Sequence, residues 1–170
     1  MLVVHASRAF VKRYRCEMSL VDRPVIQGGL IHSWSGHFIR IGHTPLVLLM
    51  NDATLWSIII PVKGVTTFSA FLPIFLERVE EIWNAYGSSF DPGNQVVGIF
   101  RRTNRSLIGS MNEAVRLLRF DVEEARAEGV EPDWGGFESS LNQTPFMAMN
   151  PSFPVDAMAQ YFASREGRNE

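Results

Sequence analysis

Residues 36–62 constrain this chain more than any other stretch. Three apolar runs of strand length, HFIRI (37–41), PLVLLM (45–50) and LWSIIIPV (55–62), are separated only by the polar segments GHT and NDAT. Strand-length runs joined by turns this short form an antiparallel meander. Side chains alternate across a strand, so His37, Ile39 and Ile41 face one way and Phe38 and Arg40 the other. The second and third runs are apolar on both faces, which places them in the middle of a sheet.

The flanking sequence supplies the remaining elements. LVVHA (2–6) is short and β-branched and reads as a first strand, and RAFVKRYR after it reads as a short helix with Phe10 and Tyr14 on one side. Residues 21–33 are rich in Pro and Gly and read as a loop. In VTTFSAFLPIFLERVEEIWNAYG, apolar residues recur every three or four positions from Phe68 to Tyr86, the mark of an amphipathic helix. Pro73 interrupts the pattern, which predicts a helical turn near 66–71, a main helix from about 73 to 86 and a stop at Gly87. VVGIFRR (96–102) fits another strand. A long helix follows, with Leu107, Ile108, Met111, Leu118 and Val122 in one apolar stripe and a stop at Gly129. The stretch LNQTPFMAMNPSFP reads as loop, and VDAMAQYFASRE as a terminal helix. The expected architecture is α+β: one domain over residues 1–165 with a frayed tail at 166–170, a mostly antiparallel sheet containing a three-strand meander, and helices packed mainly on one face.

Composition narrows the function classes. With 170 residues, 46% hydrophobic and 20% charged, the chain is suited to a single buried core. Its one cysteine, Cys16, allows no intramolecular disulfide and no thiolate-rich zinc cluster. Neither an export signal nor an apolar stretch of about 20 residues is present, so the expectation is a cytoplasmic protein without a membrane contact. Phosphate-loop, dinucleotide-binding and GxSxG motifs are absent, and no cofactor is expected. His5, His32, His37 and His43 have no HxH or HExxH spacing, and no metal is expected.

The segment NRSLIGSMNE (104–113) stands out. At 100° per residue, Arg105, Gly109, Asn112, Arg116 and Arg119 fall near one line opposite the apolar stripe. Asn104 or Ser106 is placed to cap the helix, and Ser110 with Glu113 also matches a capping box. Gly109 costs about 1 kcal/mol relative to alanine inside a helix. On a polar face, that cost suggests something approaching closely: a ligand, another chain or the C-terminal segment. With Arg101, Arg102 and Arg105 beside it, the helix start could receive an anion. The alternative is a capped helix with a solvated basic face. Elsewhere, Asp52 is either a general base paired with His37 or simply part of a hairpin turn. Cys16 among basic residues reads as a half-buried small residue before a nucleophile, and the Glu77, Glu80 and Glu81 cluster as a solvated helix face before a catalytic group.

Taken together, WSGHFIRI, PLVLLMNDATLWSIIIP, TNRSLIGSMNEAV and LNQTP resemble a family of small bacterial domains of unknown function. The resemblance extends over most of residues 1–145. It singles out Trp34, His37, Asn51, Asp52, Thr54, Asn104, Arg105, Ser106, Gly109, Met111 and Asn112 and implies no reaction. Two expectations follow. One is a non-enzymatic interaction module that binds a protein partner or forms a homodimer. The other is a phosphate-ligand or nucleic-acid binder, or an enzyme, built on the basic helix start at 101–119. Its ligand-binding candidates are Arg101, Arg102, Arg105, Ser106, Gly109, Asn112, Trp34 and His37. No catalytic residue is assigned.

Overall fold

The structure is a computed structural model and describes residues 1–19, 29–147 and 152–166. Five strands form one sheet: β1 (Leu2–Ala6), β2 (Ser33–Ile41), β3 (Thr44–Asn51), β4 (Ser57–Pro61) and β5 (Val97–Arg101), in spatial order β4-β3-β2-β1-β5. The meander is present, with β2 antiparallel to β3 and β3 antiparallel to β4. β1, however, runs parallel to both its neighbours, β2 and β5. The sheet is therefore mixed rather than mostly antiparallel. The connections explain this, because long segments containing helices separate β1 from β2 and β4 from β5, and only such crossovers can join strands that do not fold straight back.

Helices flank both faces, not mainly one. α1 (Arg8–Tyr14), α2 (Phe68–Ala85) and α5 (Pro154–Glu166) close one core with Leu2, Val4, Trp34, Val47, Leu49, Ile58 and Ile60. α3 (Arg105–Ala127) and α4 (Trp134–Asn142) close the other with Ile39, Ile41, Leu46, Leu48, Met50 and Ile59. The α+β class holds. β2 begins at Ser33, four residues before the apolar run that announced it, and α4 lies in a stretch whose regular structure the sequence did not announce. Residues 20–28, most of the segment read as a loop, and 167–170, most of the expected frayed tail, lie outside the described residues.

Pro73 does not split α2. The helix starts at Phe68, with the Thr67 side chain accepting from the Ala70 amide, and runs on to Ala85. The proline forfeits one backbone bond, to the carbonyl of Ser69, which lies on the exposed side. Burial of Phe71, Phe75, Leu76 and Val79 on the opposite face outweighs that loss. α3 is capped by Asn104, whose Oδ1 accepts from the Ser106 and Leu107 amides. It ends before Gly129, which takes the left-handed conformation (φ 71°) that favours glycine.

β4 is an edge strand and not, as its two apolar faces suggested, an interior one. α4 seals its edge with side chains. Asn142 Oδ1 accepts from the Ser57 amide at 2.7 Å, and Asn142 Nδ2 donates to the Ser57 carbonyl at 3.0 Å. One turn earlier, Glu138 accepts the Ile59 amide at 2.7 Å and pairs with Arg78 of α2. The match is geometric, since four helical residues advance about 6 Å and two strand residues about 6.6 Å. Asn142 thus occupies the place of a sixth strand, and the apolar edge is hidden.

Two stability outcomes follow. Asn142→Ala orphans a buried N–H and a buried C=O and is expected to cost about 1–3 kcal/mol for each group. It should lower the urea midpoint and promote concentration-dependent aggregation through β4, both read by chemical denaturation and light scattering. At Gly109 an added Cβ meets no heavy atom within 4 Å. Gly109→Ala should therefore gain about 1 kcal/mol of helix propensity and raise Tm by about 2–4 °C in a thermal circular dichroism scan.

Candidate functional site

Strand lengths create the site. Ala6 pairs with Gly36 on one side and with Arg101 on the other, and there both β1 and β5 stop. β2 continues to Ile41. The chain leaves β1 through Ser7 into α1 and leaves β5 through Arg102 towards α3. The notch where two strands stop and a third runs on opens into a cleft of about 580 Å³. Its polar lining is Ser7, Arg8, His37, Arg101 and Arg102, with Met18 and Ile108 among the apolar residues. Such a volume suits a small ligand.

The cleft is one-signed. Three arginines line it, and no carboxylate does among the described residues. Among the described residues none of the three makes an ion pair there. Arg102 is half-buried, its guanidinium donates to Met111 Sδ, and burial holds its pKa below the ordinary value. His37 Nδ1 lies 2.8 Å from Ser7 Oγ. The same oxygen accepts the Phe10 amide at 3.2 Å, capping α1. With the hydroxyl as donor to Nδ1, the imidazole carries its hydrogen on Nε2. Burial first, and then the Arg102 charge, push the His37 pKa down to about 4, so the ring is neutral at pH 7.

A second polar cluster lies on the same sheet face. Asp52, just past the end of β3, accepts from Ser35 Oγ at 2.8 Å and from Ser33 Oγ. His5 Nε2 of β1 stands 3.6 Å from its carboxylate. Burial raises the Asp52 pKa against the pull of both hydroxyls and His5. His5 pairs in register with Ser35, two residues before His37. Strand geometry puts the two histidine Cα atoms about 8 Å apart. The neighbouring turn is knotted by Asn51, whose Oδ1 accepts from the Ala53 and Thr54 amides and whose Nδ2 donates to the Ile31 carbonyl.

The residues nominated from sequence fall into separate places. His37, Arg101 and Arg102 meet in the cleft. Ser106 and Gly109 border a different opening of about 550 Å³, with Ser110, Glu113, Pro145, Phe146 and Met147. Among the described residues Gly109 has open space where a neighbour was expected. Arg105 and Asn112 are exposed on α3, and Arg116 on the same face is taken by Glu113. Trp34 is fully buried on the other side of the sheet against Phe75, 5.9 Å between ring centroids. Asp52 has His5 as its histidine neighbour, while His37 is bonded to Ser7; the His37–Asp52 pairing does not form. Ser7, Arg8 and His5 were not nominated. The signal for Ser7 was present in its position as the one residue between a strand and a helix.

No three His, Cys, Asp or Glu side chains gather as metal ligands among the described residues, and none of their helices is long and apolar enough to cross a membrane. No curated protein and no solved structure gives a significant match. A family model described as a domain of unknown function, DUF6933, matches residues 5–157, a span that runs from the end of β1 through β2 to β5, the cleft and the start of α5. The chain belongs to that family of domains of unknown function.

Proposed function

We propose that the domain binds a small phosphate- or carboxylate-bearing ligand in the cleft at the ends of β1 and β5. One observation carries the reading: Arg8, Arg101 and half-buried Arg102 line a concave site with no carboxylate in its described lining. Burying part of a guanidinium without an anion is unfavourable, and an incoming phosphate or carboxylate supplies the missing partner. Neutral His37 adds an N–H donor that places no further charge in the site. The cleft is small, which favours a soluble anion over a nucleic-acid strand. A protein-binding or self-associating role has as its support the exposed Leu30, Val96, Phe120 and Met147, which belong to four different parts of the chain.

Titration calorimetry with inorganic phosphate, pyrophosphate and a dicarboxylate tests the reading. Binding of at least one is expected, weakening with added salt, with Arg102→Ala reducing affinity about tenfold or more. No heat with any of the three anions sinks the proposal.

His37 also makes an acid-stability outcome specific. Its folded pKa of about 4 lies below the ordinary 6.5, so between those values the unfolded chain holds more protons. Its contribution is complete above pH 6.5 and is lost progressively as pH falls towards 4. Between pH 4 and 7 this group favours a urea midpoint that rises with pH, while the raised Asp52 and Glu138 carboxyls act the other way, so His37→Gln should lower the slope measured for the unaltered chain.

A further inference from the structure

We infer that Ser7 is a nucleophile with His37 as its base, and that the cleft turns over small carboxylic esters bearing an anionic group. The inference rests on the anion-binding reading of the same cleft and adds a reaction to it.

The geometry meets the first requirement of such a pair, a nucleophile and a base within hydrogen-bond reach, at 2.8 Å. Ser7 sits at the one-residue joint between β1 and α1, held by its own amide on the Gly36 carbonyl at 2.9 Å. The backbone on both sides of it is therefore fixed by the sheet and by the helix. The Phe10 amide occupies an acceptor site on Oγ and so directs the hydroxyl proton towards His37 Nδ1. His37 in turn is set by β2, whose backbone is paired on the far side with β3 at Leu48. Both side chains line the cleft that holds Arg101 and Arg102. The arginines can hold the anionic group of the substrate and offset negative charge on the carbonyl oxygen as it develops. A helix-capping role alone accounts for the Phe10 bond. It does not account for the histidine, which a cap does not need.

The step balances with water as the only co-reactant. Ser7 Oγ forms a bond to the ester carbonyl carbon as its proton passes to His37 Nδ1. The carbon–oxygen bond to the alcohol breaks, and the alcohol departs with that proton. Water then gives a proton to His37 and attacks the acyl-Ser7 carbon. Ser7 Oγ leaves, recovers the proton, and the carboxylic acid is released.

The full-length chain is treated with a fluorophosphonate probe and followed by intact-mass and peptide mass spectrometry. One adduct on Ser7 is expected. Ser7→Asn keeps a good helix cap and should lose the adduct. His37→Gln should slow labelling about tenfold or more, a modest factor because a ring whose pKa is held down to about 4 is a weak base, while circular dichroism confirms the fold. Hydrolysis of a 4-nitrophenyl ester of a dicarboxylic acid should follow the same order and be inhibited by phosphate. No adduct on Ser7, or a labelling rate indifferent to His37→Gln, overturns the inference. Phosphate binding measured on the unaltered chain separates the two readings. Binding without labelling leaves the anion cleft standing and removes the nucleophile; labelling without binding removes the anion cleft and, with it, the anionic substrate class of this inference.

Discussion

The mismatch in strand length is the constraint from which the rest of this molecule follows. β2 has nine residues and its parallel neighbour β1 has five, as does β5 beyond it. A sheet whose strands all ended together would have buried His37 under a continuous ladder. Here the ladder stops at Ala6 and Arg101, and both chains must turn away at the same level. Two consequences meet at that point. The first residues after β1 and β5 are brought side by side although more than ninety positions separate them in the chain. And the β2 residue just beyond the step, His37, has no strand over its outer edge, so that Ser7 takes the place of a backbone neighbour.

The sheet face above this step is divided. Over β3, β4 and the far half of β2 it is apolar and packs against α3 and α4. Over β1 and the near half of β2 it carries His5, Ser33, Ser35 and His37, with Asp52 reaching in from the turn after β3. Taking a carboxylate out of water is unfavourable, and the two serine hydroxyls offset part of that. The same turn holds Leu55 at φ 57°, an arrangement that costs about 1–3 kcal/mol for a residue with a side chain and persists only where the surroundings fix it. Asn51 does the fixing, bonded at both ends of its amide and fully buried, with its carbonyl accepting the Leu55 amide. The Asp52 amide itself donates to the Ser33 carbonyl, so the turn and the polar cluster are tied together.

What could be read from the amino acids alone was whatever local periodicity encodes. The meander, α3 with its cap region and the first strand were visible because their apolar spacing is regular and their turns are short. β2's first half was missed because SWSG carries polar residues at alternate positions on a buried face, and buried polar residues look like loop. α4 was missed because Trp134, Gly135 and Gly136 open it with poor helix formers, and its role is to reach sideways to β4. The cleft was half legible: Arg101, Arg102 and His37 were in view, whereas Ser7 and Arg8 come from the other end of the chain and join them only through parallel pairing, which no local pattern announces. Gly109 misled for a physical reason. A missing side chain signals close approach only if something approaches, and there the described structure is open.

The side-chain seal on β4 has a temporal side. Ser57 and Asn142 are 85 residues apart, so at a synthesis rate of about 5–20 residues per second the bare strand precedes its cover by roughly 4–17 s. Throughout that interval the nascent meander presents an unpaired apolar border to whatever else is being made nearby. That exposed interval falls during synthesis, before α4 has emerged, and any pause in translating the segment between α2 and α4 lengthens it.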